Sequence, residues 1–403
     1  MTDDIFGELP RDVGPDTLAV QGGTARSQFM ETSEGLYLTS GYVFDSAESA
    51  ERAFTGEEKR FVYSRYGNPT VAMFQERLRL LDGAEACFAT GSGMAAVFVA
   101  LAALLKTGDR LVAARSLFGS CFVICNEILP RWGVETVFVD GEDLQQWEEA
   151  LSEPTTAVFF ETPANPMQTL VDIEAVCKLA HAAGAQVVLD NVFATPLLQH
   201  GFELGADVVV YSATKHMDGQ GRVMGGAILG SEEFISGPVQ NLMRHTGPAL
   251  SPFNAWTLLK GLETMRLRVD AAVASALKVA QFLDDDPRTS WVKYPFLPSH
   301  PQYDLARKQM AGGGTVITYE VADRDGKSGK ERVFEVLNKL RVVKISNNLG
   351  DAKSLTTHPA TTTHRAMGPE GRAAVGITDS VIRISIGLEN VDDLIADLDQ
   401  ALG

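Results

Sequence analysis

A lysine stands directly after an apolar strand, among small polar residues. In the stretch 206-ADVVVYSATKHMDGQGR-222 the strand ends near Ser212, and Thr214 and Lys215 follow before a glycine-containing loop. Most lysines at such a position are solvated surface charges. The alternative is an amine that forms a covalent bond with a carbonyl carbon. The other strand ends help to decide between these two interpretations.

Three other strand ends carry groups that could bind a ligand. The glycines around Ser92–Met94 open a strongly helical run, where free backbone N–H groups could bind an anion, although a tight turn explains them equally well. Asn165 follows the strand 156–161 and supplies an amide. Asp190 ends the strand 186–190 and is either a helix cap or a buried carboxylate, which needs a cation beside it to stay ionised.

Together these four strand ends match the groups of one cofactor. Pyridoxal 5′-phosphate (PLP) has a phosphate for the N–H groups, a ring oxygen for Asn165, a ring nitrogen for Asp190 and an aldehyde for Lys215. Asp190 would keep the ring nitrogen protonated, which withdraws electrons and stabilises a carbanion on the substrate. Each residue taken alone favours a structural role, but the joint pattern predicts a PLP enzyme.

The elements that position these residues alternate between short β-branched runs and helical segments. Near-continuous apolar strands separated by helices predict a mostly parallel sheet covered by helices on both faces. In such a sheet ligands bind beyond the carboxyl ends of the strands. The predicted strands are 84–90, 110–115, 134–140, 156–161, 186–190, 207–212 and 225–230, and a helix is predicted over 172–184.

The sequence pattern divides the chain into three parts. Weak periodicity at the start predicts an N-terminal arm over residues 1–60, followed by a PLP-binding domain over 61–256. A long helix over 251–283 leads into a smaller α+β domain, residues 257–403. Further predicted elements of that domain are strands 314–321 and 381–387 and helices 329–340 and 391–402.

Composition excludes several classes of protein. A net charge of −17 over 403 residues argues against a nucleic-acid surface, which would need a basic stripe. The four cysteines predict reduced, buried thiols, and the Cys121–Cys125 pair, without a matching His or Cys cluster, predicts no metal site. The start MTDDIFGELPRD lacks a secretion signal and the longest apolar run, 94–105, is too short for a bilayer, so we expect no membrane contact and a cytoplasmic location.

Seven stretches of the chain resemble, in the same order, those of one known family. They are 63-YSRYGNPT-70, 92-SGMAA-96, 161-ETPANP-166, 190-DNVFATP-196, 212-SATKH-216, 350-GDAKSLTTHPATTTH-364 and 382-IRISIGLE-389. The chain thus resembles the Cys/Met-metabolism family of PLP enzymes. The resemblance implies an α/β protein of PLP-dependent transferase fold type I, the aspartate-aminotransferase-like fold. It also implies a homo-oligomer, commonly a tetramer built from dimers that share active sites.

The resemblance implies a role for each candidate residue. Lys215 would bind the aldehyde, Asp190 the ring nitrogen and Asn165 the ring hydroxyl. The stretch 63–70 would reach into the neighbouring subunit's site, although an Asn-Pro turn also explains it. The phosphate would be held by Gly93, Met94, Ser212 and Thr214 of one chain and by Tyr63 and Arg65 of its neighbour.

Arg383 is the candidate for binding the substrate. It matches the family residue that binds the substrate α-carboxylate, and a bidentate guanidinium suits a planar carboxylate. Ile382, Ile384 and Ile386 share one strand face, so we expect Arg383 on the other. A surface salt bridge is the alternative explanation.

Three features separate this chain from many relatives. Phe118 stands where many have a tyrosine, so its ring can stack on the cofactor but cannot transfer a proton, and Lys215 would carry more of that work. Asn348 stands where many relatives have a serine. Arg222, in the loop after Lys215, is a candidate partner for a distal substrate carboxylate, although pairing with Asp218 explains it at least as well.

The stretch 215-KHMDGQGRVMGG-226 is similar to the branch of the family that combines O-succinyl-L-homoserine with sulfide. The resemblance implies a PLP-dependent γ-replacement that yields L-homocysteine and succinate, towards methionine. Alternatives are cysteine as the thiol (a cystathionine γ-synthase), the acetyl ester as substrate, and a methionine or cystathionine γ-lyase, against which Phe118 counts. A non-catalytic protein of this fold would lack Lys215, Asp190 or Arg383, and all three are present.

Overall fold

The protein is described by a computed structural model over residues 5–7, 9–10 and 12–403. The predicted N-terminal arm therefore falls partly outside the described residues, at positions 1–4, 8 and 11. The chain forms two compact units whose segments alternate along the sequence. The predicted division into an arm and two domains stays a prediction. The first unit comprises the described residues of Met1–Ala103, Val210–Asp218 and Arg222–Met265, and the second comprises Leu104–Val209, Gly219–Gly221 and Arg266–Gly403.

The helices and strands of the described chain have the following bounds. The α-helices are α1 Pro15–Gln21, α2 Ala47–Thr55, α3 Pro69–Asp82, α4 Gly93–Leu104, α5 Gly119–Val123, α6 Leu144–Ala150, α7 Ile173–Ala182, α8 Thr195–Leu198, α9 Glu232–Phe234, α10 Gln240–Thr246, α11 Pro252–Glu263, α12 Met265–Asp284, α13 Tyr303–Gln309, α14 Gly329–Lys339, α15 Gly368–Ala374 and α16 Val391–Leu402. The strands are β1 Ala86–Thr90, β2 Arg110–Ala114, β3 Glu135–Val139, β4 Ala157–Glu161, β5 Gln186–Asp190, β6 Val208–Tyr211, β7 Gly226–Gly230, β8 Thr289–Lys293, β9 Val316–Val321, β10 Lys344–Ile345, β11 Leu355–Thr357 and β12 Val381–Ser385.

The larger sheet has seven strands in the order β1-β7-β6-β5-β4-β2-β3. Strands β2, β3, β4 and β5 pair in parallel, whereas β1 and β7 pair antiparallel. Val158, Phe159 and Phe160 are fully buried, as expected for a parallel strand covered on both faces. Each predicted strand of this sheet lies within two residues of its predicted bounds, so the mostly parallel sheet is confirmed.

Strands β4 and β5 bring two acidic residues together. Because they run parallel and stay in register to their last residues, Glu161 lies opposite Asp190. Both carboxyl groups therefore reach the edge of the sheet where the carboxyl ends of parallel strands lie, which is where ligands bind in open α/β sheets.

The smaller sheet lies in the second unit and has five strands in the order β10-β11-β12-β9-β8. Strand β12 pairs antiparallel with β9 and β11. Ile382, Ile384 and Ile386 pack into a core formed with α12, α14 and α16. Arg383 consequently lies on the opposite strand face, as the alternating pattern predicts.

The long helix predicted over 251–283 is two helices, α11 and α12, separated at Thr264. At Thr264 the backbone angles are φ −112° and ψ 7°, outside the helical region. Buried apolar residues continue through the break at helical spacing, among them Leu262, Met265 and Val269. The sequence pattern does not reveal the break because the apolar period is uninterrupted.

All four cysteines are buried and none forms a disulfide, which confirms the prediction of buried thiols. Burial raises the pKa of Cys125 and of Cys177 to about 12, so both thiols stay protonated at neutral pH. Among the described residues no helix combines the length and the apolar character needed to cross a membrane.

Candidate active site

One set of predicted site residues lies in the first unit, and we call it the lysine group: Gly93, Met94, Ser212, Thr214 and Lys215. Helix α4 begins at Gly93. A Cβ atom added at Gly93 would lie 2.5 Å from the Cβ of Ser212, so the helix start packs against Ser212 with room only for glycine. The structure therefore places the Ser212 side chain beside the start of helix α4, where the helix dipole favours an anion.

The turn that carries Lys215 is held by hydrogen bonds to backbone groups. The hydroxyl of Thr214 accepts from the Gly225 N–H at 3.1 Å and lies 3.2 Å from the Gly225 carbonyl oxygen. The Lys215 N–H donates to the Ser212 carbonyl at 3.2 Å. Lys215 is half-buried, so it is not a fully solvated surface charge at a strand end.

Tyr63 and Arg65 lie elsewhere in the first unit and contact each other. The Arg65 guanidinium lies 5.4 Å from the ring centroid of Tyr63 and 4.8 Å from that of Tyr66. It also donates to the carbonyl of Arg244. Tyr63 is 42% exposed. The predicted reach of these residues into a neighbouring subunit stays a prediction.

Arg222 is bonded to Asp218. Its Nε donates to a carboxylate oxygen at 3.0 Å, its backbone N–H donates to the other at 2.7 Å, and a terminal nitrogen donates to the Asp218 carbonyl at 2.8 Å. The sequence left this pairing open as an alternative, and the structure contains it. A role for Arg222 towards a substrate carboxylate stays a prediction.

The second unit holds another set of residues, which we call the carboxylate group: Glu161, Asn165, Asp190 and Arg383. A carboxylate oxygen of Asp190 accepts from the Val192 N–H at 3.1 Å. Burial raises the pKa of Asp190. Burial and the neighbouring charge of Asp190 raise the pKa of Glu161. A buried carboxyl group beside a half-buried one favours a cationic or protonated partner.

Glu161 is the last residue of β4, and the sequence analysis assigns no role to it. Its two carboxylate oxygens accept from different loops, one from the Asn165 N–H at 2.6 Å and the other from the Phe118 N–H at 2.8 Å. Asp190 is selected because it is an acidic residue at the end of an apolar strand. Glu161 has the same kind of position, so the same criterion selects it. Among the described residues, Cys121, Glu161 and Asp190 place one potential metal-ligating atom each within 4.8 Å of one another. The expectation of no metal stays a prediction.

Arg383 is buried, with 1% of its surface exposed, so the alternative of a surface salt bridge is wrong. One terminal nitrogen donates to Asn165 Oδ1 at 3.1 Å, and the other donates to the carbonyls of Asn347 and Asn348 at 2.8 and 3.1 Å. Within the described chain its Nε has no hydrogen-bond partner and no carboxylate forms an ion pair with it. Burial lowers its pKa to about 10, so it stays charged at neutral pH. A buried cation with only neutral acceptors is suited to an anionic ligand.

His364 is a second residue to which the sequence analysis assigned no role. Its Nε2 lies 3.1 Å from the Asn165 carbonyl oxygen, and its Nδ1 lies 2.8 Å from the Thr363 hydroxyl. Burial and the charge of Arg383 lower its pKa to about 4, so the ring is neutral and Nε2 carries the donated hydrogen. His364 ends the stretch 350–364 that carried the family resemblance.

The chemistry of each group fits part of PLP. In the lysine group, a helix start and two hydroxyls suit a phosphate, and the amine of the half-buried residue Lys215 suits an aldehyde. In the carboxylate group, Asp190 suits a protonated ring nitrogen, and Arg383 suits the carboxylate of an amino acid.

Comparison with known proteins identifies the class. The sequence pattern of the family described as Cys/Met metabolism PLP-dependent enzyme matches residues 16–403. The chain therefore belongs to the Cys/Met-metabolism family of PLP-dependent enzymes, which confirms the resemblance and the PLP cofactor.

The chain is also similar to individual proteins of this family. The chain is 70% identical over 394 residues to the O-succinylhomoserine sulfhydrylase of Mycobacterium tuberculosis, covering 98% of this chain and 97% of that protein. It is 46% identical to the O-succinylhomoserine sulfhydrylase of Pseudomonas aeruginosa, with 96% of this chain and 94% of that protein covered. A putative O-acetylhomoserine (thiol)-lyase of Campylobacter jejuni, solved with a pyridoxyl-lysine phosphate group, matches with a TM-score of 0.92 at 32% identity, covering 97% of this chain and 100% of that one. This likeness agrees with the predicted fold type.

Proposed function

We propose that the chain is a PLP-dependent enzyme that converts O-succinyl-L-homoserine and sulfide into L-homocysteine and succinate. The observation that carries the proposal is the 70% identity, over 98% of the chain, to an O-succinylhomoserine sulfhydrylase. In the structure, the buried charge of Arg383 and the acid at Asp190 support a PLP enzyme acting on an amino acid. The reaction belongs to methionine biosynthesis.

The proposal assigns the cofactor contacts to both groups, on the basis of the family resemblance. Bound PLP withdraws electrons from the substrate α-carbon. Asp190 holds a proton at the ring nitrogen, and Asn165 donates to the ring oxygen. Phe118 stacks on the ring but has no hydroxyl with which to transfer a proton. The phosphate contacts are Gly93, Met94, Ser212 and Thr214 within the chain, and Tyr63 and Arg65 of a neighbouring chain.

Lys215 is the residue that would hold the cofactor through its Nζ, and it would also move protons at the substrate. Its Nζ takes the proton from the substrate Cα and later returns one. Phe118 cannot share this work, so the proton transfers depend on Lys215. Lys215 is half-buried, so its side chain is partly removed from bulk water.

Arg383 binds the substrate α-carboxylate. Its free Nε and its unpaired positive charge supply the donor and the charge that a carboxylate needs. Asn348 lies next to this site through its carbonyl, which accepts from Arg383 at 3.1 Å, and we propose that it contacts the substrate. Arg222 is the proposed partner for the distal succinyl carboxylate, although its Nε already donates to Asp218.

We further propose a cytoplasmic homotetramer built from dimers that share active sites. The basis is the stretch 63–70, which in the family reaches into the neighbouring subunit. Mass photometry or analytical ultracentrifugation of the PLP-loaded protein tests the assembly: a monomer would contradict it.

The activity is tested by steady-state kinetics with two esters and two thiols. O-succinyl- and O-acetyl-homoserine are each combined with sulfide and with cysteine, and homocysteine, cystathionine and 2-oxo acids are measured. The proposal expects the highest kcat/KM for the succinyl ester with sulfide. A preference for cysteine would indicate a cystathionine γ-synthase, and release of 2-oxobutyrate and ammonia from methionine would indicate a γ-lyase.

A further inference from the structure

Glu161 connects two loops that carry proposed cofactor contacts. One loop precedes α5 and ends at Phe118, and the other follows β4 and contains Asn165. Neither the Phe118 nor the Asn165 N–H is bonded within a helix or strand; each donates to a different oxygen of the Glu161 carboxylate, at 2.8 and 2.6 Å. The Glu161 residue is buried, with 6% of its surface exposed. Its carboxylate is therefore a fixed link between the two loops.

We propose that Glu161 is a positioning residue that sets the places of Phe118 and Asn165 for the cofactor and the substrate. The inference rests on the proposed function, because the roles of Phe118 and Asn165 come from it. Glu161 itself is not assigned a contact with substrate or cofactor.

The link extends from the cofactor contacts to the substrate contact. Asn165 Oδ1 accepts from Arg383 at 3.1 Å, and the Asn165 carbonyl accepts from neutral His364 at 3.1 Å. A displacement of the Asn165 backbone would therefore change the place of its amide and one of the bonds that orient Arg383. Loss of Glu161 should weaken both cofactor binding and the binding of the α-carboxylate.

Only a carboxyl group offers an acceptor oxygen to each loop. A glutamine at position 161 has the same shape but a single acceptor oxygen, so its NH₂ group would face either the Phe118 or the Asn165 N–H. A buried N–H left without an acceptor is costly, whereas an exposed one is not. The Glu161→Gln variant therefore disturbs one loop without leaving a cavity.

The chain offers a matched control in Asp397. It is also buried in the second unit, and its carboxylate accepts from the N–H groups of Arg341, Val342 and Val343 at 2.8, 2.9 and 3.0 Å. These amides have no proposed role in the site. Asp397→Asn thus removes an equivalent acceptor with a purely structural consequence.

The test measures PLP binding to apoprotein and the circular dichroism of bound PLP. For Glu161→Gln we expect the PLP Kd to rise about 10- to 100-fold and the visible dichroism to weaken, because the ring contacts are less well ordered. For Asp397→Asn we expect a lower melting temperature but a PLP Kd within about 2-fold of the wild type. An unchanged Kd and dichroism in Glu161→Gln, or an equal loss in Asp397→Asn, would overturn the inference.

A second measurement needs no substitution. In the wild-type holoenzyme, hydrogen exchange should protect the Phe118 and Asn165 amides by at least about 10³-fold relative to an unstructured peptide. Exchange close to the unprotected rate would contradict the bonds to Glu161, even if Glu161→Gln failed to fold. These readouts are independent of the thiol and ester used, so failure of the sulfhydrylase activity in the wild type would be recognised separately.

Discussion

The lysine group and the carboxylate group hold their residues in place by different means. In the lysine group close packing of the backbone holds the residues in place, since Gly93 packs against Ser212 where a Cβ atom would not fit. In the carboxylate group side-chain hydrogen bonds hold the residues in place, since Glu161 binds two backbone amides and Asn165 accepts from Arg383. One group is therefore sensitive to added volume, and the other to a lost hydrogen-bond partner.

This difference follows from the ligand that each group suits. A phosphate can be bound by several neutral N–H and O–H donors. A helix start and small side chains supply such donors without burying a charge. A ring nitrogen and a carboxylate need full charges, and buried charges are tolerated only when paired or hydrogen-bonded. Four substitutions test the contrast, in order of decreasing expected effect.

Lys215→Ala should have the largest effect. It removes the only proposed covalent contact and the proposed proton carrier, so we expect kcat to fall at least about 10³-fold. After borohydride treatment, mass spectrometry should find PLP attached to the wild type and not to the variant. Lys353→Ala is the control, because Lys353 has a 65% exposed side chain. A variant that keeps a tenth of the activity would contradict the assignment.

Arg383→Lys should reduce kcat/KM about 10²-fold, mainly through KM. A lysine keeps the charge but loses the planar set of donors, and it cannot reach all three acceptors of the guanidinium. Steady-state kinetics measures the split between kcat and KM. Arg332→Lys is the matched control, because Arg332 is also buried in the second unit and donates to the Leu402 carbonyl. It should lower stability and leave KM unchanged.

Gly93→Ala should weaken PLP binding about 10-fold and lower the free energy of unfolding by about 1–3 kcal/mol. The added methyl group would lie 2.5 Å from the Ser212 Cβ and must displace the helix start. Gly14→Ala is the control, since nothing lies within 4 Å of its added Cβ. Thermal denaturation and PLP titration measure the two effects. If Gly93→Ala kept the wild-type stability and PLP affinity, the start of helix α4 would accommodate the added methyl group, and the prediction would be wrong.

Arg222→Ala should have the smallest effect on catalysis, a rise in KM below about 10-fold, because Arg222 is exposed. Its partner Asp218 is fully buried, so the substitution should also lower stability. If Arg222 binds the distal carboxylate, the loss should be confined to the succinyl ester. Equal losses with the succinyl and acetyl esters would remove that role.

Much of the fold and of the candidate site could be predicted from local patterns in the sequence. The seven strands of the larger sheet, the placement of Lys215 and Asp190 at strand ends and the opposite face of Arg383 follow from apolar patterns of local period. The break at Thr264 could not be predicted, because the apolar spacing of Leu262 and Met265 is that of one continuous helix.

The class of enzyme follows from the amino-acid sequence, because the chemistry-bearing residues stand in short stretches whose types and order are specific. Which groups support these residues follows from the folded chain. Glu161 meets the Phe118 amide 43 residues away, and Arg383 meets Asn165 across 218 residues. Such pairs have no local signature, since they form when strands and loops distant in sequence fold together and each buried polar group takes the partner within reach.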